Sequence, residues 1–346
     1  MRAVWVEKPH AFQVVEHPDP EPGTEEVLVR VRACSFCGSD IHLIEGHMPG
    51  VVYPLIPGHE WTGEVVRAGG RAEGFKAGDR VATESHAGCG KCTNCLRGYY
   101  TICENYGRRQ VHRQIGITSN GGFAQYCAVP AKVLHHLPEG MSYTAGTLMT
   151  TAGTAVVGLE RCGVETGDRV LVFGAGAIGL LTMQFARHLG AGEVCIVDPV
   201  ASRLELARKL GAEVTVQAGA EDLDAALEAR GWRGGPDLVV EAAGLPSLQA
   251  ESIQRVRRGG RVLLLGIAGG EPVPAPLNRV PLDQITIYGV RGEGDRAVAR
   301  AIRAYRSGRI DSSAINTHVF RLDQFAEAFE VFRRKKDGAV KVVLEC

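Results

Sequence analysis

The hydrophobic rhythm of the chain changes once, near Ser142. Before that point apolar residues come in short runs punctuated by Gly and Pro: EVLVRVRAC from Glu26, GEVVRAG from Gly63, DRVAT from Asp79 and GFAQYCAVP from Gly122. Runs this short predict a compact, barrel-like β domain with long loops, and place function in those loops. From Ser142 the texture becomes that of a helix, TAGTLMTTAGTAVVGLERCG, and then strand and helix alternate. RVLVFG leads into a helix from Ala177 to about Leu189, and EVCIVD into a helix from Ser202 to Leu210 that Gly211 closes. DLVVEAAG from Asp237, a helix near Leu248 to Val256, RVLLLG from Arg261 and ITIYGV from Ile285 continue a parallel sheet wound on both faces. Beyond Asp295 two amphipathic helices and the strand VKVVLEC remain, and that strand is expected to rejoin the first domain. The expected fold is therefore α/β: a β-barrel domain over 1–150, a doubly wound parallel-sheet domain over 151–290, and a segment 291–346 returning to the first.

Length agrees with two domains, since 346 residues at roughly 150 per domain allow each its own core. Lys+Arg and Asp+Glu are 39 each, so the net charge is zero, which argues against a nucleic-acid or membrane-surface partner. The opening MRAVWVEKPH has no apolar stretch of signal-peptide length, and no run approaches the ~20 apolar residues of a membrane span. A cytoplasmic protein is expected. In that reducing compartment ten cysteines, six of them between Cys34 and Cys103, are more apt to hold metal or do chemistry than to pair.

Three constellations carry chemistry. The strand Val170 to Phe173 runs into Gly174-Ala175-Gly176-Ala177-Ile178-Gly179 and a helix. Gly174 would make the tight turn, Gly176 would let the backbone approach a pyrophosphate, and Gly179 would allow helix to pack on strand. The next strand ends at Asp198, about 20 residues on, where a carboxylate would accept the ribose hydroxyls and repel a 2′-phosphate. NAD is thereby favoured over NADP, although the nearby Arg203 blurs the exclusion. Second, Cys89, Cys92, Cys95 and Cys103 form C-x2-C-x2-C-x7-C in what is expected to be a metal-fixed lobe at about 86–105. Four thiolates close a tetrahedral Zn²⁺ shell with no open position, a structural site, though a soft four-sulfur set also suits iron–sulfur chemistry. Third, Cys37-Gly38-Ser39-Asp40-Ile41-His42 and Gly58-His59-Glu60-Trp61-Thr62-Gly63 offer a thiolate, an imidazole and a carboxylate. Such donors can bind Zn²⁺ while leaving room for water or substrate, as a Lewis-acid catalyst requires.

CGSDIH, GHEWTGEV, the four-cysteine loop, GGFAQY and VLVFGAGAIG occur together in the order and spacing of the zinc-dependent medium-chain alcohol and polyol dehydrogenases, which the whole chain resembles. YPLIPGHEWTGEV and CIVDPVASRLELARKLGA look most like the sorbitol and threonine dehydrogenase branch. The resemblance implies a GroES-like catalytic barrel, a Rossmann domain, one catalytic and one structural Zn²⁺, NAD, and a homotetramer or homodimer. It implies that Cys37 and His59 are catalytic zinc ligands, that Glu60 can enter or leave the shell, and that Asp40 orients His59. Ser39 would hold the substrate hydroxyl proton, and His42 would receive it by way of the nicotinamide ribose in the cleft between the domains. His47, Met48, Trp61, Arg113 and Arg291 lie in neighbouring loops, with directions that spacing does not give.

One position departs from the family pattern. The third zinc ligand, a Cys or Glu, should stand just before the helix leading into the nucleotide fold. Counting back from Gly167 puts it at Thr150, while aligning on Ala152-Gly153 puts it at Thr151. A threonine hydroxyl is a poor Zn²⁺ donor. Either Glu60 completes the shell or the catalytic metal is absent or loosely held. Two rivals to a zinc- and NAD-dependent secondary-alcohol dehydrogenase follow: a silent family member binding NAD(H), and a metal-independent reductase of the same superfamily, for which Cys37 and His59 would have no use.

Overall fold

The computed structural model describes residues 1–48, 50–268 and 273–346. The chain divides into two compact units, Met1–Gly153 with Gly292–Arg306 and Ser312–Cys346, and Thr154–Arg291 with Ser307–Asp311.

The first unit is organised on the strand Glu26–Ser35, whose Val27, Val29, Val31 and Ala33 are all fully buried, the period-two pattern of a half-buried strand. It pairs antiparallel with Glu60–Ala68 along its length, with Tyr126–Pro130 through residues 26–30, and with Lys341–Glu345 through residues 33–35. Arg80–Thr83 and Leu134–His136 extend the sheet beyond Glu60–Ala68. The last strand thus does rejoin the β unit, bringing Lys341 to the middle of the sheet. Two features escape the hydrophobic pattern. The strand Asn316–Arg321, parallel to Lys341–Glu345, alternates half-buried with exposed residues and never shows a strong apolar face. The hairpin Arg2–Lys8 with Ala11–Glu16 turns through Pro9 and His10, with His10 at φ 63° where Asn or Gly would have signalled the turn. Between Asn316–Arg321 and Lys341–Glu345, the helix Phe325–Arg333 buries Phe325, Ala328 and Phe329, and Phe325 lies 5.1 Å from the Phe36 ring centre. That aromatic layer supports the loop that begins at Cys37.

The second unit holds a six-stranded parallel sheet among the described residues. Its order is Val214–Gln217, Glu193–Asp198, Arg169–Phe173, Leu238–Glu241, Arg261–Leu264, Thr286–Gly289. The four inner strands are near-continuous apolar runs because both their faces are covered. Chain order reverses between Arg169–Phe173 and Leu238–Glu241, and ligands of such sheets bind beyond the carboxyl ends of the strands at that reversal. The glycine-rich turn follows Phe173, at that carboxyl end. None of the described helices is long and apolar enough to cross a membrane.

Candidate active site

Antiparallel pairing sets Ser35 opposite Glu60 and Val343 opposite Ser35, so three strands converge on one buried point. His59 enters that point just before its strand, and Cys37 follows Ser35 by two residues at the start of the helix Gly38–Ile44. Donor atoms of Cys37, His59 and Glu60 all lie within 4.8 Å of one another. Asp40 ties the first two together: its Oδ2 accepts the Cys37 N–H at 2.8 Å, and its Oδ1 stands 3.6 Å from His59 Nδ1. This leaves Nε2 of His59 on the side of Cys37 and Ser39, whose Oγ is 3.4 Å away. Burial works against protonation of His59, but Asp40 and then Cys37 outweigh it and hold the imidazole pKa well above its usual value. A soft thiolate, an imidazole braced by a carboxylate and a second carboxylate fit a zinc ion with an open position.

Glu60 is 2% exposed and makes three side-chain contacts. Ser35 Oγ donates to Oε2 at 2.8 Å, Lys341 Nζ ion-pairs with the same oxygen, and Thr151 Oγ1 donates to Oε1 at 2.5 Å. Burial opposes ionisation of Glu60, and Lys341 and then His59 overcome it, so its pKa lies below the ordinary value. Thr150 faces elsewhere, its hydroxyl donating to the Thr83 carbonyl at 2.8 Å. Of the two threonines that counting left open, only Thr151 addresses this carboxylate. Ser39 is half-buried, and His42 is exposed three residues along the same helix.

Among the residues whose directions spacing left open, Trp61 is fully buried in the β core and Arg113 ion-pairs with Glu26. Met48 packs on the core, and His47 and Arg291 are exposed. The residues that sequence reasoning missed are Ser35 and Lys341. A lysine beside the valines of VKVVLEC was their one signal, since a strand that buries a cation must supply it with an anion.

Cys89, Cys92, Cys95 and Cys103 converge as a second group. The sulfurs of Cys89 and Cys95 are 3.8 Å apart, as are those of Cys92 and Cys103. A tetrahedron with ~2.3 Å metal–sulfur bonds has edges of about 3.8 Å. The Lys91 N–H, followed by other donors, draws the Cys89 thiol down to about 6, toward the thiolate that a metal needs.

In the second unit, Gly174 has φ 100°, and a Cβ on Gly179 would lie 1.9 Å from the Gly174 carbonyl oxygen. A Cβ on Gly176 would meet nothing within 4 Å. The helix Ala177–Leu189 begins at Gly176 with no side chain capping it, so its first N–H groups are available to an anion. Asp198 fixes the turn by accepting the Ala175 N–H at 2.8 Å through Oδ2 and the Val200 N–H at 2.9 Å through Oδ1. Arg203 is buried on the helix Ala201–Lys209. These features fit a dinucleotide whose pyrophosphate rests on the helix start and whose ribose meets Asp198.

A sheet of the dinucleotide-binding kind and a Cys–His–Glu cluster suited to a metal ion, in one chain, fit a metal-dependent, nicotinamide-linked oxidoreductase. Comparison with known proteins carries this further. Residues 23–139 match the alcohol dehydrogenase GroES-like domain and residues 177–307 the zinc-binding dehydrogenase domain. The L-threonine 3-dehydrogenase of Pyrococcus horikoshii is 35% identical over 354 residues, covering 100% of this chain and 99% of its own. The alcohol dehydrogenase TADH from Thermus sp. ATN1 superposes with a TM-score of 0.88 at 31% identity, covering 100% of this chain and 99% of its own. A short chain alcohol dehydrogenase of E. coli CFT073, solved with NADH, gives 0.90 at 28% identity over the same shares. The chain belongs to the zinc-dependent medium-chain alcohol dehydrogenase family. It is an NAD-linked zinc enzyme that oxidises secondary alcohols.

Proposed function

We propose that the substrate is a secondary alcohol with a polar neighbour, an amino alcohol or polyol, and that Cys37, His59 and Glu60 hold the catalytic Zn²⁺. The observation that carries this reading is the convergence of those three donors within 4.8 Å, although no Cys or Glu stands at 150 or 151. The overall reaction turns a secondary alcohol and NAD⁺ into a ketone, NADH and a proton. Bound zinc supplies a Lewis acid that lowers the pKa of the alcohol, and bound NAD supplies the hydride acceptor. Ser39, beside His59, accepts the hydroxyl proton while passing its own proton onward, and the exposed His42 takes up the relayed proton and releases it to solvent. Asp40 keeps Nε2 of His59 turned toward the metal position. Cys89, Cys92, Cys95 and Cys103 hold the structural Zn²⁺. Gly174, Gly176, Ala177, Ile178 and Gly179 receive the pyrophosphate, and Asp198, with Arg203 beside it, selects NAD over NADP.

The similarity to L-threonine 3-dehydrogenase supports the substrate class, and the NADH of the E. coli relative supports the cofactor. Assembly as a homotetramer or homodimer is part of the same reading, with the open edge of Thr286–Gly289 at the end of its sheet as the pairing surface. So is a cytoplasmic location. NADH formation on L-threonine, sorbitol and 2,3-butanediol, with zinc counted per chain, tests it. Two zincs and turnover on at least one substrate are expected. One zinc and no turnover would establish instead the silent NAD(H)-binding protein that the threonines at 150 and 151 favour.

A further inference from the structure

We propose that Thr151 is a positioning residue that makes Oε1 of Glu60 the single carboxylate oxygen offered to the catalytic metal, while Ser35 and Lys341 hold Oε2 out of the shell. The inference rests on the metal-site reading above and assigns a task to one of the two threonines at which the family's ligand position can fall.

An ionised carboxylate has about four lone-pair positions, two on each oxygen. On Glu60, Oε2 spends its pair on the Ser35 hydroxyl, at 2.8 Å, and on the Lys341 ammonium. Oε1 receives one donor, Thr151 Oγ1 at 2.5 Å, and keeps one lone pair free. Bidentate ligation would have to displace a buried lysine, 3% exposed, from the carboxylate oxygen it pairs with. Monodentate ligation through Oε1 displaces nothing. The threonine hydroxyl therefore acts on the metal through Glu60: it fixes the torsion of the carboxylate and aims the remaining lone pair. Lys341 also offsets one negative charge, so Cys37 and Glu60 together place a net charge of about one on the metal instead of two, which preserves its strength as a Lewis acid.

The test is the affinity of the second zinc, measured on the intact protein by competition with a chromophoric chelator after the four-cysteine site has been filled. Partners that orient a metal ligand contribute about 10–100-fold to affinity. Thr151→Val, equal in shape but without the donor, should weaken the second zinc by about that range, Thr151→Ser should restore it, and Thr151→Cys, which adds a thiolate, should tighten it beyond wild type. X-ray absorption of the loaded protein should show one sulfur at the second site in wild type and two in Thr151→Cys. Second-zinc affinity unchanged in Thr151→Val, or not restored by Thr151→Ser, would overturn the role of Thr151. Cys37→Ser separates this from the underlying reading: a second zinc that survives Cys37→Ser would mean that the metal is held elsewhere, and would overturn both.

Discussion

A carboxylate that is 1% exposed must be held by donors or give up its charge, and Glu293 is held. Its oxygens accept the Ser85 N–H at 2.5 Å, the Ser85 hydroxyl at 2.8 Å and the His86 N–H at 3.2 Å. Burial works against its ionisation, but His86 and Ser85 outweigh it and bring the carboxyl to about 2. The folded pKa lies below the unfolded value, so the stabilisation is present in full above 4.5 and is lost as pH falls from 4.5 toward 2. Glu293→Gln should cost on the order of 1–3 kcal/mol at pH 7. In urea titrations from pH 7 to pH 3, its midpoint should approach that of wild type only below about pH 4.5; a constant gap would contradict the assignment. Cys37, His59 and Glu60 were legible as candidate metal donors because CGSDIH and GHE are compact motifs with short internal spacing. Thr150 and Thr151 were not separable, since adjacent helical residues point about 100° apart and only the helix orientation chooses between them. The pairings of Lys341 and Glu293 could not be read for another reason: their partners Glu60 and Ser85 lie far away in the chain, and residue spacing carries no information about strand neighbours.

Among elements, the glycine-rich turn gives the sharpest contrast. Gly176 has an ordinary φ of −75° and open space around the Cβ position, so Gly176→Ala should leave the melting temperature unchanged. It should nevertheless weaken NADH binding at least about tenfold, because the methyl group would occupy the approach of the pyrophosphate. Gly179→Ala places a methyl 1.9 Å from the Gly174 carbonyl, so it should lower the melting temperature by several degrees and NADH binding together. Thermal melts beside NADH fluorescence titrations separate the two outcomes. Most strands of the parallel sheet were readable as apolar runs bounded by glycine. Asn316–Arg321 was not, because an edge strand with one half-buried face has no such run, and its place beside Lys341–Glu345 comes from the crossover helix Phe325–Arg333.

For the whole molecule, the two groups suited to a metal ion differ in donors and therefore in the grip expected of them. Both lie in the first unit, one with four sulfurs and one with a sulfur, an imidazole and a carboxylate oxygen. A mild chelator should remove one zinc per chain and abolish turnover while the melting temperature barely moves. A thiol-reactive mercurial should then release the other, with a large drop in melting temperature. Simultaneous loss of both ions, followed by zinc release and calorimetry on the same sample, would show that the sites are not independent.

The donors of the four-cysteine lobe lie between residues 89 and 103, whereas Ser35, Glu60, Thr151 and Lys341 must be gathered from residue 35 to residue 341. Closing a short loop is fast and entropically cheap, and bringing distant segments together is slow. During refolding the lobe should therefore capture its ion early, while the catalytic centre forms only when the last strand docks, so that activity returns after most of the secondary structure.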